Sequence, residues 1–286
     1  MERAPEPSDS KPDCPAASAA GDDLDAGRIA RVAGLAPDRV ELLESVGSTN
    51  QWLLQQPWPE VAAASRLVLA RRQTAGRGRR GRTWLSGGAQ SLTLSAAFEM
   101  RLPDGAGRLS VLSVASGLAI AECLAGLTDG IGLKWPNDLQ RHGRKVAGLL
   151  LESRVQAERV RVVAGLGLNL LPDQDLLARI DQPVGCLFDS PARMPDRAWL
   201  AGTLARVMID VLEGAGISSL PPRWARFDVL AGDEVAILFD GITVQTGTAA
   251  GIDDDGALRL LDGGAEHRIC AGEVSVRRRA SLAEAP

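Results

Sequence analysis

The chain has 286 residues, 45% of them apolar and 24% charged, with a formal net charge of −4 at neutral pH. That balance suits a globular protein with enough apolar material for one large domain and one small one. It excludes disorder over most of the length, a membrane-spanning run of apolar residues, and a nucleic-acid binder held mainly by bulk charge, although a local basic patch stays open. In chain order, residues 1–25 are rich in Pro, Ala, Ser and Asp, lack the apolar stretch of a signal peptide, and read as a disordered tail. Residues 24–35 predict a short amphipathic helix and residues 40–46 a strand. Ser48-Thr49-Asn50 ahead of Trp52, Leu53 and Leu54 forms a helix N-cap pattern. Residues 66–72 and 91–99 read as strands, 108–127 as a long buried helix, and 131–135 as a short strand stopped by Pro136. Asn137-Asp138 belongs to a turn and residues 140–144 to a loop. Residues 145–152 and 159–170 predict two strands joined by a polar turn, and residues 196–213 a second long helix. Beyond Pro221-Pro222, residues 233–239, 242–250, 257–261 and 267–270 are short strands at hairpin spacing. Asp240-Gly241 and Asp255-Gly256 supply the turns, the texture of a small β-barrel.

The rare residues carry a sharper signal. There are three lysines against 29 arginines, no tyrosine, and three asparagines. A lysine is a compact point charge where arginine is a planar fork, and asparagine joins a donor and an acceptor on one short side chain. Residues that survive such a skew are candidates for chemical necessity. Apart from Lys11 in the tail, they are Lys134, Lys145, Asn50, Asn137 and Asn169. The four cysteines (Cys14, Cys123, Cys186 and Cys270) are scattered without a C-x-x-C pair, which argues against a disulfide framework or zinc site and for a reducing compartment. A cytoplasmic location is expected.

Gly76, Gly78 and Gly81 fit the spacing G-x-G-x-x-G, but the next predicted element is a strand where a dinucleotide-binding turn needs a helix. A kinase-type loop is excluded by the absence of H-R-D and D-F-G motifs. Arg77, Arg79, Arg80 and Arg82 interleave the glycines, a composition suited to gripping phosphate or carboxylate oxygens. A solvated basic turn or an RGG-like nucleic-acid segment is the plainer reading. Asn137 and Asp138 on a strand-end turn suit Mg²⁺ held with substrate phosphates, or an Asx-turn that satisfies its own backbone. Lys145 opens a buried strand and either aims into a pocket or snorkels at a rim. Gly148, and then Gly165, Gly167 and Asn169 on the next strand, imply that a ligand or a packed helix approaches the backbone closely.

These residues resemble the biotin protein ligases. The likeness runs from about Val40 to Arg277 and rests on six motifs in order. They are GSTN (47–50), QTAGRGRRGRTW (73–84), KWPNDL (134–139), KVAGLLLE (145–152), GLGLNL (165–170) and AGEVSVR (271–277). The resemblance implies an α+β fold, with a mixed β-sheet catalytic domain (26–228) whose helices pack on one face. A small C-terminal β-barrel (229–279) and a disordered tail (280–286) follow. It implies activation of biotin by ATP to biotinyl-5′-AMP with Mg²⁺, then transfer to a lysine of a biotin carboxyl carrier protein domain. By the same likeness, Ser48, Thr49, Asn50, Gln73, Arg77, Gly78, Arg79, Lys145 and Gly148 bind biotin. Trp84, Lys134, Asn137 and Asn169 bind the nucleotide, Asp138 and Asn137 hold the metal, and Lys145, Arg77 and Arg79 are catalytic. Bifunctional members carry an N-terminal DNA-binding module, for which the residues before Val40 are too few and of the wrong composition. The expectation is therefore a ligase, monomeric or weakly dimeric, without specific DNA binding. His142 and Arg144 receive no role. A lipoate–protein ligase on the same scaffold is the nearest alternative reading, and an arginine-rich nucleic-acid binder the more distant one.

Overall fold

The computed structural model describes residues 24–59, 65–86, 88–101, 109–174, 184–272 and 274–279. Apart from Leu24 and Asp25, the predicted tails at 1–25 and 280–286 lie outside the described residues. Seven strands make one mixed sheet: β1 (Val40–Val46), β2 (Arg66–Gln73), β3 (Ser91–Arg101), β4 (Ile131–Lys134), β5 (Asp138–Arg141), β6 (Arg144–Gln156) and β7 (Arg159–Asn169). Their order is β1-β2-β3-β7-β6-β5-β4, with β1 and β2 parallel and every other neighbouring pair antiparallel. A parallel pair needs a crossover, and α2 (Thr49–Gln55) lies on that path.

Three longer helices cover one face. Helix α1 (Ala26–Ala33) starts where the Asp25 carboxylate accepts the Arg28 N–H and stops at Gly34, whose φ of 70° is left-handed. Helix α3 (Leu109–Ala125) has no polar stripe and buries Leu112, Val114, Leu118, Ile120 and Leu124 to 1% exposure or less. Helix α4 (Arg197–Leu212) is capped by Asp196, which accepts the Trp199 N–H at 2.8 Å. Strand alternation sorts the sheet's side chains. Leu92, Leu94 and Ala96 of β3 and Val162, Ala164, Leu166 and Leu168 of β7 join the core beneath the helices. Their alternates Thr93, Ser95, Gly165, Gly167 and Asn169 form the opposite face. Only part of that second face is covered: α2 sits there, burying Leu53 against Val68, Ala97 and Val163. One helix therefore departs from the expected one-sided packing, and the rest of that face is left open for a site.

Two elements were not expected. Residues 138–141 form strand β5, where a turn and loop were anticipated, and His142-Gly143 make a tight turn into β6 with φ of 49° and 75°. Residues 274–278 form β12. After the short helix α5 (Leu220–Trp224), strands β8 (Glu234–Phe239), β9 (Ile242–Ile252), β10 (Leu258–Asp262), β11 (Ala265–Ile269) and β12 (Val274–Arg278) make an antiparallel sheet in the order β11-β10-β9-β8-β12. Among the described residues nothing pairs β11 with β12, so the module expected as a small β-barrel is a five-stranded antiparallel sheet that does not close. The Asp240-Gly241 turn has positive φ at both central residues, 46° and 83°, as a two-residue hairpin of this hand requires. Val235, Ile237, Leu258, Leu260 and Val276 share one apolar cluster with Leu133 and Trp135, and the Trp135 indole N–H donates to the Gly256 carbonyl at 2.9 Å. Among the described residues no helix is long and apolar enough to cross a membrane.

Candidate active site

The floor of the site is the open sheet face, shaped by what its strands lack. A Cβ on Gly165 would fall on the Asn50 carboxamide, and one on Gly167 on the Trp84 indole. The two strand glycines thus make room for a side chain from α2 and one from the Arg-Gly loop, and Trp84 lies flat on bare backbone. At the N-terminus of α2, Ser48 occupies the cap position but makes no side-chain cap bond. The Thr49 N–H donates to Gln73 Oε1 at 2.8 Å, which places that carboxamide oxygen against α2. Ser95 Oγ lies 2.7 Å from Thr49 Oγ1 and 2.6 Å from Asn50 Oδ1. Asn50 Nδ2 donates to the Leu150 carbonyl at 3.0 Å and to Glu152 Oε2 at 2.9 Å. Asn50 is buried with its amide fully engaged, so it braces this pocket and does not offer a polar atom to it.

The loop from Gly76 to Trp84 folds back on itself. Trp84 N–H donates to the Gly76 carbonyl at 2.9 Å, and Gly78 N–H to the Arg82 carbonyl at 2.7 Å. A Cβ at Gly76 would strike the Trp84 carbonyl oxygen, so the first glycine is there for close approach. Arg80 and Gly81 turn the chain with φ of 59° and 70°. From this turn Arg79 Nη1 donates to Asn137 Oδ1 at 3.2 Å, while its Nη2 reaches the Gly272 carbonyl of the C-terminal module. Arg80 donates to Ser275 Oγ at 3.0 Å and lies 3.5 Å from Asp240. Arg77 stays half exposed, its Nη1 3.7 Å from Glu152.

The opposite end is cationic. Lys145 Nζ sits 2.6 Å from Asp138 Oδ1 and 5.8 Å from the Trp84 ring centroid, close enough for a cation–π contact. Burial depresses the Lys134 ammonium pKa, and nearby Arg277, Arg278 and Lys145 push it further down against the pull of Asp138. Burial also lowers the Arg79 guanidinium, with Asp138 opposing and Arg80 and Arg82 adding to the effect. Charges gathered with so little counter-charge favour an anion in their midst. Between the two ends, Trp84 Nε1 and Asn169 Oδ1 are buried without a hydrogen-bond partner. Each such orphan costs about 1–3 kcal/mol.

All of these groups face one cavity of about 630 Å³, within the range of small-molecule sites. Every residue expected at the site lines it: Ser48, Thr49, Asn50, Gln73, Arg77, Gly78, Arg79, Trp84, Lys134, Asn137, Asp138, Lys145, Gly148 and Asn169. The sequence reading gave no role to Ser275 or Arg277, although both lie in the last motif, and did not single out Ser95. Asn137, expected beside Asp138 as a metal ligand, has its Oδ1 accepting from Arg79 and its Nδ2 donating to the Leu149 carbonyl. Among the described residues no three His, Cys, Asp or Glu side chains assemble a cation site. Among the described residues Asp138 is the one carboxylate on the cavity wall. Mg²⁺ accepts such a setting, since it commonly takes one carboxylate and completes its shell with phosphate oxygens and water.

A mixed sheet, a second antiparallel sheet and a cavity that joins a hydroxyl-lined floor to a cationic end suit a small ligand with a polar head and an anionic part. Residues 42–169 match the Biotin/lipoate A/B protein ligase family, and residues 231–277 match the Biotin protein ligase C terminal domain. The chain is 34% identical over 263 residues to the bifunctional ligase/repressor BirA of Salmonella typhimurium, spanning 89% of this chain and 78% of that protein. It is 30% identical over 243 residues to the biotin–[acetyl-CoA-carboxylase] ligase of Mycobacterium tuberculosis, covering 82% and 88% of the two chains. A biotin protein ligase from Aquifex aeolicus, solved in complex with biotin and ATP, superposes with a TM-score of 0.68 at 26% identity, over 84% of this chain and 99% of that one. The chain belongs to the biotin protein ligase family.

Proposed function

We propose that this chain activates biotin with ATP and transfers it to one lysine of a biotin carboxyl carrier domain. The single observation that carries the reading is the polarity of the cavity. One end is a neutral hydrogen-bonding floor, the other a set of cations. A cyclic urea fits the first end and phosphates the second. A biotin carboxylate oxygen bonds to the α-phosphorus of ATP as the bond to pyrophosphate breaks. The carrier amine then bonds to the acyl carbon, gives up its proton, and AMP leaves. Neither step needs a nucleophile from the protein. What is needed is neutralisation of two anions brought together and stabilisation of charge along the line of displacement. Lys145, poised at Asp138 over Trp84, is assigned to the meeting carboxylate and α-phosphate. Arg79 and Arg77 are assigned to the loop that closes over them, and Lys134 and Arg277 to the outer phosphates. Bound Mg²⁺ supplies further charge neutralisation on the phosphates, with Asp138 as its protein ligand.

Incubation with labelled biotin, ATP, Mg²⁺ and a carrier domain tests the proposal. Label should appear on the carrier, and pyrophosphate exchange should depend on biotin. Exchange driven by lipoate or octanoate and not by biotin would move the chain to the lipoate branch.

A further inference from the structure

Arg161 stands two residues before Val163 on the sheet face that carries α2, at the opposite end of that helix from Ser48, Thr49 and Asn50, and is 3% exposed. A guanidinium has five N–H donors, and here all five are spent. Two go to Glu99 Oε1, at 3.0 and 2.6 Å. The other three go to backbone carbonyls: Leu53 at 2.9 Å, Gln56 at 2.7 Å and Pro57 at 2.9 Å. The Glu99 side chain is itself only 8% exposed, and charges this deep persist only when paired and hydrogen-bonded. What the pair holds is the end of α2. That helix has seven residues, fewer than two turns, so it depends on outside contacts for its stability. Its last carbonyls have no partners within the helix, and their partial negative charge favours a cation. Arg161 closes this end. At the other end the Thr49 N–H donates to Gln73 and the Asn50 amide to Leu150 and Glu152. A short rod fixed at both ends keeps one axis, whereas a rod fixed at one end tilts.

We infer that Arg161, fixed by Glu99, is a positioning residue for the neutral end of the cavity. By pinning the C-terminal end of α2 it sets where Ser48, Thr49 and Asn50 stand against the ligand. The inference rests on the proposed reading that the biotin head group binds there. It goes beyond that reading by giving a role to a residue that is not part of the cavity wall. Arg161 lies apart from the cationic end, so its loss is felt by one substrate and not by the other.

Pyrophosphate exchange by the full chain, with biotin and ATP varied separately, tests this. Arg161→Lys keeps a cation beside Glu99 but brings three donors where five are used. Its KM for biotin should rise about fivefold, the scale of one lost hydrogen bond. The KM for ATP and the turnover at saturation should stay within about twofold, the pattern of binding lost equally from ground and transition states. The double variant Glu99→Leu/Arg161→Met replaces the buried pair by apolar side chains, an exchange that often costs no stability, yet leaves the three carbonyls unanchored. Its biotin KM should rise about tenfold, with melting within a few degrees of the parent. A merely structural role would lower the amount of active enzyme and shift neither KM. A parent-like biotin KM in the double variant, or an equal rise in both KM values, therefore overturns the inference. Should the double variant not fold, Arg161→Lys decides by the same two criteria. A parent without biotin-dependent exchange defeats the functional reading itself, which is a separate result.

Discussion

The two faces of the central sheet are built from the same strands by opposite rules. On the helix side, Leu94, Leu166 and Leu168 fill space, and stability comes from the area they remove from water. On the site side, Gly165 and Gly167 clear space, and function comes from what other elements put there. Leu168 lies between Gly167 and Asn169, so adjacent residues of one strand answer to different demands.

The largest expected effect belongs to Gly167→Val. Its side chain would occupy the place of the Trp84 indole, displacing the loop and the nucleotide wall together. Biotin-dependent pyrophosphate exchange should fall by about 10³-fold or more, on the scale of losing a catalytic constellation, while the melting temperature shifts by only a few degrees. Leu168→Ala should do the reverse. It should cost about 2–5 kcal/mol in urea denaturation, as core truncations do, with exchange per folded molecule nearly unchanged. If the two variants gave the same profile, the division of the sheet into a packing face and a working face would be wrong.

Lys145→Arg comes next in size. The Asp138 contact at 2.6 Å and the seat over Trp84 are shaped for a compact ammonium, which a planar fork does not reproduce. Adenylation should slow by about 10²-fold, a loss comparable to that of one preorganised charge-stabilising donor, with unchanged melting. Arg79→Gly should act later in the reaction. It removes the bonds to Asn137 and to the Gly272 carbonyl and leaves Arg80 as the loop's side-chain tie to the C-terminal module. Free biotinyl-AMP in solution should rise about tenfold, in line with losing one or two charge-assisted hydrogen bonds. A variant that leaks no more than the parent would remove the loop from any role as a lid.

The same two-face rule explains how much was legible beforehand. The apolar alternation of β1, β3 and β7 is a local property, and those strands were read almost to their ends. Glycines at 165 and 167 could be flagged because they weaken a strand, but their occupants come from 115 and 83 residues away in sequence (165 − 50 and 167 − 84). Strand β5 was missed because Asp138–Arg141 has no alternation of its own and is held by β4 and β6 on either side. Strand β12 pairs with β8, 35 residues upstream (274 − 239), and its alternation, Val274-Ser275-Val276-Arg277, is only four residues long. Ser95 was passed over for a different reason. Serine is common in this chain, so the rarity that exposed Lys145 and Asn50 says nothing about it.

The smallest expected effect lies away from the cavity, where the catalytic sheet hands over to the C-terminal one. Asp228 bridges to Leu133 at the edge of β4, and its carboxylate accepts the Leu230 N–H at 2.9 Å. Burial raises its pKa above the ordinary 3.8, with hydrogen bonds from the Leu230 and Ala231 N–H groups offsetting part of the shift. A raised folded-state pKa means that the folded protein holds this proton more tightly than the unfolded chain does. The associated stability is complete below 3.8 and is lost as pH climbs through the folded value. Asp228→Asn keeps an acceptor for Leu230 and never ionises. Relative to the parent it should therefore gain stability as pH rises from about 4 to 8, by about 1 kcal/mol or less, the usual scale of a single polar substitution. Urea midpoints at both ends of that range give the sign directly. A gap between variant and parent that shrinks with rising pH would mean that the Asp228 carboxylate is favoured by its neighbours, and that the junction between the sheets is held together by charge and not merely tolerant of it.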